Sequence, residues 1–244
     1  MNLSVYPTEK VAAAAVARQI AARVAEQPEL VLGLPTGRTP VPLYNEIGAL
    51  FASHAIDLSR VTTFNLDEFV GIPPEHPGSY HAFMRRHLFA RVNVPEERAN
   101  FLNGLAPNLH AECARYEHAI AAAGGIDLQL LGIGTNGHIG FNEPARELAA
   151  RTHKVTLHES TRRANASLFG NDLAQVPCEA LSMGMGTILA ARSIVLLAMG
   201  KSKARCIERV VNGPITTRLP ASFLQLHPRV ELVLDEGAAS SLSN

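Results

Sequence analysis

The sequence predicts an α/β fold: a mostly parallel, Rossmann-like open sheet with helices on both faces, in three layers. Short apolar runs of strand length alternate along the chain with longer segments of helical periodicity. Parallel strands need crossover connections, so this alternation places helices on both faces of one sheet. With 244 residues, 47% of them apolar, and no internal repeat or linker, the chain is expected to form a single domain, 1–244.

The individual elements follow from periodicity and capping residues. Apolar residues at i, i+4 and i+8 mark a first helix at Val16, Ile20 and Val24. Thr39 is predicted to cap a second helix that has Pro40 at its first position. We expect strands at 29–34, 61–65, 126–131, 154–157, 193–198 and 230–234, the last closing the sheet, with further helices at 80–88 (capped by Ser79), 109–123 and 207–211, and a frayed tail at 237–244.

Charge and cysteine content exclude several classes of protein. The 22 cationic and 22 anionic residues balance without a basic stripe, so we expect no binding to nucleic acid or to a membrane. Three cysteines without a C-x-x-C pair argue against a disulfide framework or a zinc site. The N-terminus lacks the blocks of a signal peptide, and the alanine-rich run after it carries charges. These features are typical of a cytoplasmic protein.

Two loops that follow predicted strands have the chemistry of anion sites. Ligands of parallel α/β sheets bind beyond the carboxyl ends of the strands. The first loop precedes a helix, whose free amides and positive end suit a phosphate, although an ordinary capped helix is the alternative. The second loop puts Lys201 and Lys203 at the unfavourable end of a helix dipole, which indicates an anion between them unless they are a solvated pair. The first loop consists of Thr36, Gly37, Arg38 and Thr39, and the second of residues 200–203.

Acid–base candidates follow two further strands. Asp67 and Glu68 are adjacent in extended chain, so only one of them can face a site, and position alone does not decide which; surface capping is the alternative role. In residues 131–144 four glycines surround His138, and Asn136 or Glu143 could fix its tautomer and charge. A core histidine is the alternative. A metal site is not indicated, because the stretch has no second imidazole at ligand spacing. A serine hydrolase is not indicated either, because the sequence has no G-x-S-x-G elbow.

Four motifs together resemble those of glucosamine-6-phosphate deaminases. They are L-P-T-G at 34–37, F-N-L-D-E-F at 64–69, G-I-G-T-N-G-H-I-G-F-N-E-P at 132–144 and G-K-S-K at 200–203. The resemblance covers nearly the whole chain, and its N-G-H-I-G-F-N-E-P core is highly specific. It implies conversion of D-glucosamine 6-phosphate and water to D-fructose 6-phosphate and ammonia in amino sugar catabolism, without a metal or organic cofactor.

The resemblance also implies roles for the residues. Asp67 looks like the base that moves a proton from C2 to C1 of the open-chain sugar. His138 looks like the group that opens the sugar ring, helped by Glu143 and Asn136. Some family members have aspartate at position 136; asparagine can orient an imidazole but leaves the stabilisation of its charge to Glu143. The phosphate is expected to bind Thr36, Gly37, Arg38, Thr39 and Lys203.

The chain departs from the family pattern in its phosphate pocket. The pattern often has an arginine where this chain has Ser167, and a small residue where it has Arg38. We expect Arg38 to supply the missing cation, with Arg162 or Arg163 as the next candidates. The polar segment 147–165 is expected to form a lid over the substrate.

A second departure concerns regulation and assembly. Larger hexameric relatives are activated by N-acetylglucosamine 6-phosphate through basic residues and a C-terminal extension. His153 and Val155 stand at the basic positions, and the sequence ends at Asn244, so we expect hyperbolic kinetics without this activation. The protein is expected to be a monomer or a small homo-oligomer.

Two other functions compete with deamination. A 6-phosphogluconolactonase shares the fold and a phosphate loop but has no need for the carboxylate at Asp67. A sugar-phosphate sensor of a transcription regulator needs a DNA-binding module, which the short segment before the first phosphate loop cannot hold.

Overall fold

A seven-stranded, fully parallel sheet runs through the computed structural model, which describes residues 1–242. The strand order is β1-β10-β9-β6-β2-β3-β5. The central strands are buried on both faces, as expected for a parallel sheet covered by helices. The strands are β1 (Asn2–Tyr6), β2 (Val31–Leu34), β3 (Thr62–Asn65), β5 (Ala99–Asn100), β6 (Leu128–Gly132), β9 (Ile194–Ala198) and β10 (Val230–Asp235).

Helices cover both faces of this sheet and bury two hydrophobic cores. One core packs the first three helices against alternate strand residues such as Leu130 and Val195, and the other packs the later helices against Leu131 and Leu196. Within residues 1–242, no helix is both long and apolar enough to cross a membrane. The helices are α1 (Glu9–Glu26), α2 (Val41–Ala52), α3 (Tyr80–His87), α4 (Leu109–Ala122), α5 (Glu159–Asn165), α6 (Met185–Leu189), α7 (Ala204–Asn212) and α8 (Glu236–Ala239).

A small antiparallel sheet lies beyond the carboxyl end of β3. It consists of β4 (Asp67–Phe69), β8 (Glu179–Ser182) and β7 (His153–Thr156), in that order. Leu66 links the two sheets, because its amide donates to Leu34 at 3.2 Å and its carbonyl accepts from Met183 at 2.8 Å. A third apolar cluster, which includes Phe69 and Phe141, packs around the small sheet.

The structure confirms the predicted fold class and corrects several elements. The strand predicted at 154–157 belongs to the small antiparallel sheet rather than to the main one. The strand predicted at 230–234 does not close the sheet, because the unpredicted β1 pairs with its outer edge. Helix α2 begins at Val41, after Pro40, and Thr39 does not cap it. Part of the predicted frayed tail is α8, whereas Ser243 and Asn244 lie outside the described residues.

The sheet changes direction between β2 and β6. From β2 the chain moves outward through β3 to β5, then returns to β6 on the other side of β2 and continues outward to β9 and β10. The loops after β2 and β6 therefore leave the sheet toward opposite sides and open a crevice between them. Crevices at such switch points are the usual ligand sites of open α/β sheets.

Candidate active site

A polar cavity of about 760 Å³ lies at this switch point. The loops after β2, β3, β6 and β9 contribute to its wall together with Asp235, the last residue of β10, so the expected convergence of strand ends is observed. A smaller cavity of about 290 Å³ lies between α1 and the segment after α2, away from these loops. The predicted site residues that line the large cavity are Thr36, Gly37, Arg38, Thr39, Asp67, Asn136, His138 and Lys203, whereas Glu143 is buried and absent from the lining.

Asp67 and Glu68 point to opposite sides of β4, as the extended backbone requires. Asp67 faces the cavity. Glu68 faces α3 instead, where its carboxylate accepts the amides of Phe69, Tyr80 and His81 at 2.8, 3.0 and 2.9 Å. A carboxylate that binds the free amides of a first helical turn is a helix cap. The structure therefore separates a pocket carboxylate from a capping carboxylate, which position in the sequence could not do.

Asp67 is poised to hold or release a proton near neutral pH. Its side chain is buried, and its Oδ1 atom has no hydrogen-bond partner among the described residues. Burial, followed by the charge of nearby Glu68, raises the pKa of Asp67 from 3.8 to about 8. A buried carboxyl without compensating donors favours its neutral form. Such a group is suited to proton transfer with a substrate that enters the cavity.

The loop after β6 is shaped around the imidazole of His138. A Cβ atom at Gly134 would lie 2.3–2.6 Å from three atoms of this ring, so a side chain at 134 and the imidazole exclude each other. Gly137 has a φ of +88°, and a Cβ there would meet Leu219 at 2.2 Å. Gly134 and Gly137 thus have specific steric reasons. They let the backbone fold closely over the ring while one edge of the ring stays open to the cavity.

Glu143 lies behind His138 and is tied into a network. Its Oε1 atom lies 3.3 Å from Nδ1 of His138, although the two are not aligned for a regular hydrogen bond, and it accepts the hydroxyl of Thr161. Its Oε2 atom accepts Nδ2 of Asn136 at 2.7 Å. Burial raises the pKa of Glu143, but the contact with His138, then the bonds from Thr161 and Asn136, outweigh it and lower the pKa to about 2. Glu143 is therefore a stable anion beside the imidazole.

Asn136 acts on this network differently from the sequence expectation. Its side chain does not touch the imidazole: Oδ1 accepts the backbone amide of His138 at 3.2 Å, and Nδ2 binds Glu143. Asn136 thus holds the loop backbone at His138 and the carboxylate of Glu143. It affects the imidazole of His138 only through these two groups. Glu143 places a negative charge beside the buried Nδ1 atom of His138.

Lys203 and Arg38 lie near each other on the cavity wall and form its cationic end. Nζ of half-buried Lys203 donates to the carbonyl of Ile133 at 2.7 Å, and Arg38 lies on the same wall. Burial lowers the pKa of Lys203; nearby Cys206 opposes this, and the guanidinium of Arg38 lowers it further. Asp235, which also lines the cavity, fixes the loop after β9 by accepting the Gly200 amide at 2.9 and 3.0 Å. An anion bound between these two cations would offset their mutual repulsion.

Sequence reasoning missed several residues of the cavity. Thr161 and Asn165 of α5 line it, as does Tyr80, whose hydroxyl donates to Asn165 at 3.2 Å. The polarity of segment 147–165 was the only signal, and it predicted a lid without naming these contacts. That this segment closes over the substrate as a lid remains a prediction. In the structure it contributes β7 and α5, and α5 bonds to both the Glu143 side and the Tyr80 side of the cavity.

The fold and the cavity define an α/β protein with its polar pocket at the switch point of a parallel sheet. Residues 8–233 match the sequence model of the family described as "Glucosamine-6-phosphate isomerases/6-phosphogluconolactonase". The chain belongs to this family. Within it, the chain is similar to proteins named glucosamine-6-phosphate deaminase: 49% identity with that of Halothermothrix orenii, over 91% of this chain and 92% of the relative. The identity is 48% with that of Rhodopirellula baltica, over 99% and 96% of the two chains.

Solved structures support the same assignment. One described as a monomeric glucosamine-6-phosphate deaminase superposes with a TM-score of 0.95 at 41% identity, covering 99% of this chain and 100% of that chain. A 6-phosphogluconolactonase from Trypanosoma cruzi reaches a TM-score of 0.80 at 19% identity, covering 100% and 97%, which shows the shared fold alone. The predicted resemblance to the deaminases is confirmed, and it holds over the lactonase alternative.

Proposed function

We propose that this protein converts D-glucosamine 6-phosphate and water to D-fructose 6-phosphate and ammonia. The observation that carries the proposal is one cavity with a protonatable buried carboxyl, an imidazole backed by a stable carboxylate, and a cationic end. Aldose–ketose isomerisation needs the buried carboxyl, and ring opening needs the imidazole. A phosphate group needs the cationic end. The relatives at 44–49% identity carry the name of this activity.

The cationic end is proposed to hold the 6-phosphate through Lys203 and Arg38. A dianion between them replaces the water lost on burial and offsets their mutual repulsion, and each charge-assisted hydrogen bond contributes about 1.5–3 kcal/mol. The other candidate cations are engaged elsewhere. Arg162 donates to the carbonyls of Leu173 and Val176 at 2.7 and 2.9 Å, and Arg163 pairs with Glu159. This arrangement supports Arg38 as the replacement for an arginine at Ser167.

Replacement of Arg38 tests this assignment directly. Arg38→Ala should raise the Michaelis constant for glucosamine 6-phosphate by about tenfold or more, because one charge-assisted contact is lost. The turnover number should change little, since Arg38 is proposed to hold the phosphate and not the reacting carbons. Arg205→Ala is the matched control, because Arg205 is exposed on α7 and does not line the cavity. An unchanged Michaelis constant in Arg38→Ala would rule out the role.

Ring opening is proposed to use His138. With Nδ1 turned toward Glu143, Nε2 accepts the proton of the C1 hydroxyl and returns a proton to the ring oxygen, which gives the open-chain aldehyde. The imidazole becomes positively charged between these two transfers. Because Glu143 stays ionised far below neutral pH, it stabilises that charge without taking the proton itself.

Isomerisation is proposed to use Asp67 in its charged form. The carboxylate removes the C2 proton of the aldehyde to give an enolamine and returns a proton to C1, which leaves an imine at C2. Water adds to that imine, and ammonia leaves to give the ketose. The free carboxyl is mostly protonated at pH 7, since its pKa is about 8. The ammonium group at C2 of the substrate lies beside it when bound, and an adjacent cation favours the carboxylate.

A coupled assay decides between the candidate activities. Purified protein with glucosamine 6-phosphate should release fructose 6-phosphate and ammonia in equal amounts. The same preparation with 6-phosphogluconolactone should show no hydrolysis above the spontaneous rate. Hydrolysis of the lactone without release of ammonia would establish the lactonase alternative. Binding of the amino sugar phosphate without any product would establish a sensor.

The protein is further proposed to act as a monomer. The similar solved structure at 41% identity is described as monomeric, which supports this proposal. Light scattering should give a mass near 26.2 kDa at the concentration used for the assay. A larger mass would indicate the small homo-oligomer instead.

A further inference from the structure

Glu143 faces two histidines rather than one. Its Oε1 atom lies 3.3 Å from Nδ1 of His138, and its Oε2 atom lies 3.9 Å from Nδ1 of His158. The remaining contacts of the carboxylate, with Asn136 and Thr161, are neutral hydrogen bonds. The buried carboxylate therefore lies between an imidazole on the cavity wall and a second imidazole that the proposed reaction does not use.

The backbone on both sides of His158 is held by hydrogen bonds. The preceding residue, Leu157, is buried and donates its amide to Cys178 at 2.8 Å, while the carbonyl of His158 accepts from Arg162 at 3.0 Å. His158 is the N-cap of α5, but its side chain makes no capping bond, and this side chain is 55% exposed. The imidazole is thus anchored at the edge of the site, with solvent on one side and Glu143 on the other.

We propose that His158 is a positioning residue that sets the protonation of His138 through their shared carboxylate. Histidine is the side chain whose charge changes nearest to neutral pH. When His158 is protonated, it takes part of the charge of Glu143 and repels a second proton on His138. Its effect on turnover rests on the proposed function, whereas its effect on the titration of His138 does not.

The other charged groups of the neighbourhood have partners or positions of their own. On α5, Glu159 pairs with Arg163. Two other charged groups line the cavity. Lys203 donates to the carbonyl of Ile133, and Asp67 lies on β4. Among the described residues, His138 and His158 are the basic side chains whose nitrogen atoms lie within 4.0 Å of the Glu143 carboxylate. The coupling therefore runs through this pair of imidazoles.

Titration of the His138 ring by NMR tests the coupling without any substrate. His158→Asn should raise the midpoint of His138 by about half a pH unit, a size typical of a partly exposed charge pair. His158→Lys keeps a cation at this position and should leave the midpoint at or below that of the wild type. Asparagine is a favourable N-cap, so α5 should be preserved. His110→Asn, at an exposed position on α4 outside the cavity lining, is the control and should not move the midpoint.

Turnover provides the second measurement. In His158→Asn, turnover at pH 6 relative to pH 8 should fall about threefold against the wild type, because more His138 is protonated at the lower pH. Equal midpoints in the asparagine and lysine variants would overturn the proposal, since loss of the imidazole alone would then explain both. If the midpoints differ as expected but no ammonia is released by any variant, the coupling stands and the proposed function fails.

Discussion

Replacing Asp67 by asparagine should disable the protein and stabilise it at the same time. Asparagine keeps the size of the side chain but cannot accept the C2 proton, so turnover should fall at least about 10²-fold, the lower range for a general base. In the wild type, kcat/KM should rise with pH and level off above about 8, because the free protein must lose the proton of this carboxyl. The residual activity of Asp67→Asn should lack that rise.

The stability change follows from the same proton. The folded pKa, about 8, lies above the ordinary value of 3.8, so the folded protein keeps a proton that the unfolded chain releases. Stability relative to Asp67→Asn is therefore highest below pH 4 and is lost as pH rises toward 8. The slope is about 1.4 kcal/mol per pH unit within that window. Between pH 5 and pH 7 the free energy of unfolding of the wild type, measured relative to that of Asp67→Asn, should decrease by about 2–3 kcal/mol.

Urea unfolding at pH 5, 6 and 7, together with the coupled assay, checks both parts. The matched control is Asp57→Asn. Asp57 is exposed, and hydrogen bonds from Asn93 and Ser59 lower its pKa below 3.8, so it is ionised in both the folded and the unfolded chain from pH 5 to pH 7. Its stability difference should therefore stay constant over this range, and activity should be unchanged. Turnover of Asp67→Asn near that of the wild type would refute the assigned base. A stability difference that stays constant from pH 5 to pH 7 would refute the raised pKa.

Two further substitutions test the geometry around the imidazole. Gly134→Ala puts a Cβ into the space of the ring and should reduce turnover by at least about 10²-fold, whereas Gly132→Ala, with nothing within 4 Å of its added carbon, should stay active. Activity in both variants would contradict the steric role of the loop. Thr161→Val removes a hydroxyl from buried Glu143 and should cost about 1–3 kcal/mol of stability together with roughly tenfold in turnover. Thr187→Val removes a similar hydroxyl–carboxylate bond outside the cavity lining, so equal loss of turnover in both would show a general effect of destabilisation.

Much of the architecture was predictable because it depends on local patterns. Central strands such as β6 and β9 are continuous apolar runs, and such runs have a clear signature. The failures have physical causes as well. The first strand, β1, lies at an edge with half of its residues exposed, so no apolar run marks it. Strand β7 alternates between exposed and half-buried residues, and its pairing with β8 depends on contacts distant in sequence.

The candidate site was predictable to the extent that strand ends converge. The sequence alone determined which loops meet, since each follows a parallel strand, and its motifs indicated the family to which the chain belongs. Only the tertiary structure decided which side each group faces. It turned Asp67 to the cavity and Glu68 to α3, and it brought Thr161 and His158 against Glu143. The reason is that both the direction a side chain faces and its tendency to hold a proton depend on neighbours within a few ångströms. Those neighbours come from elements far apart in the chain.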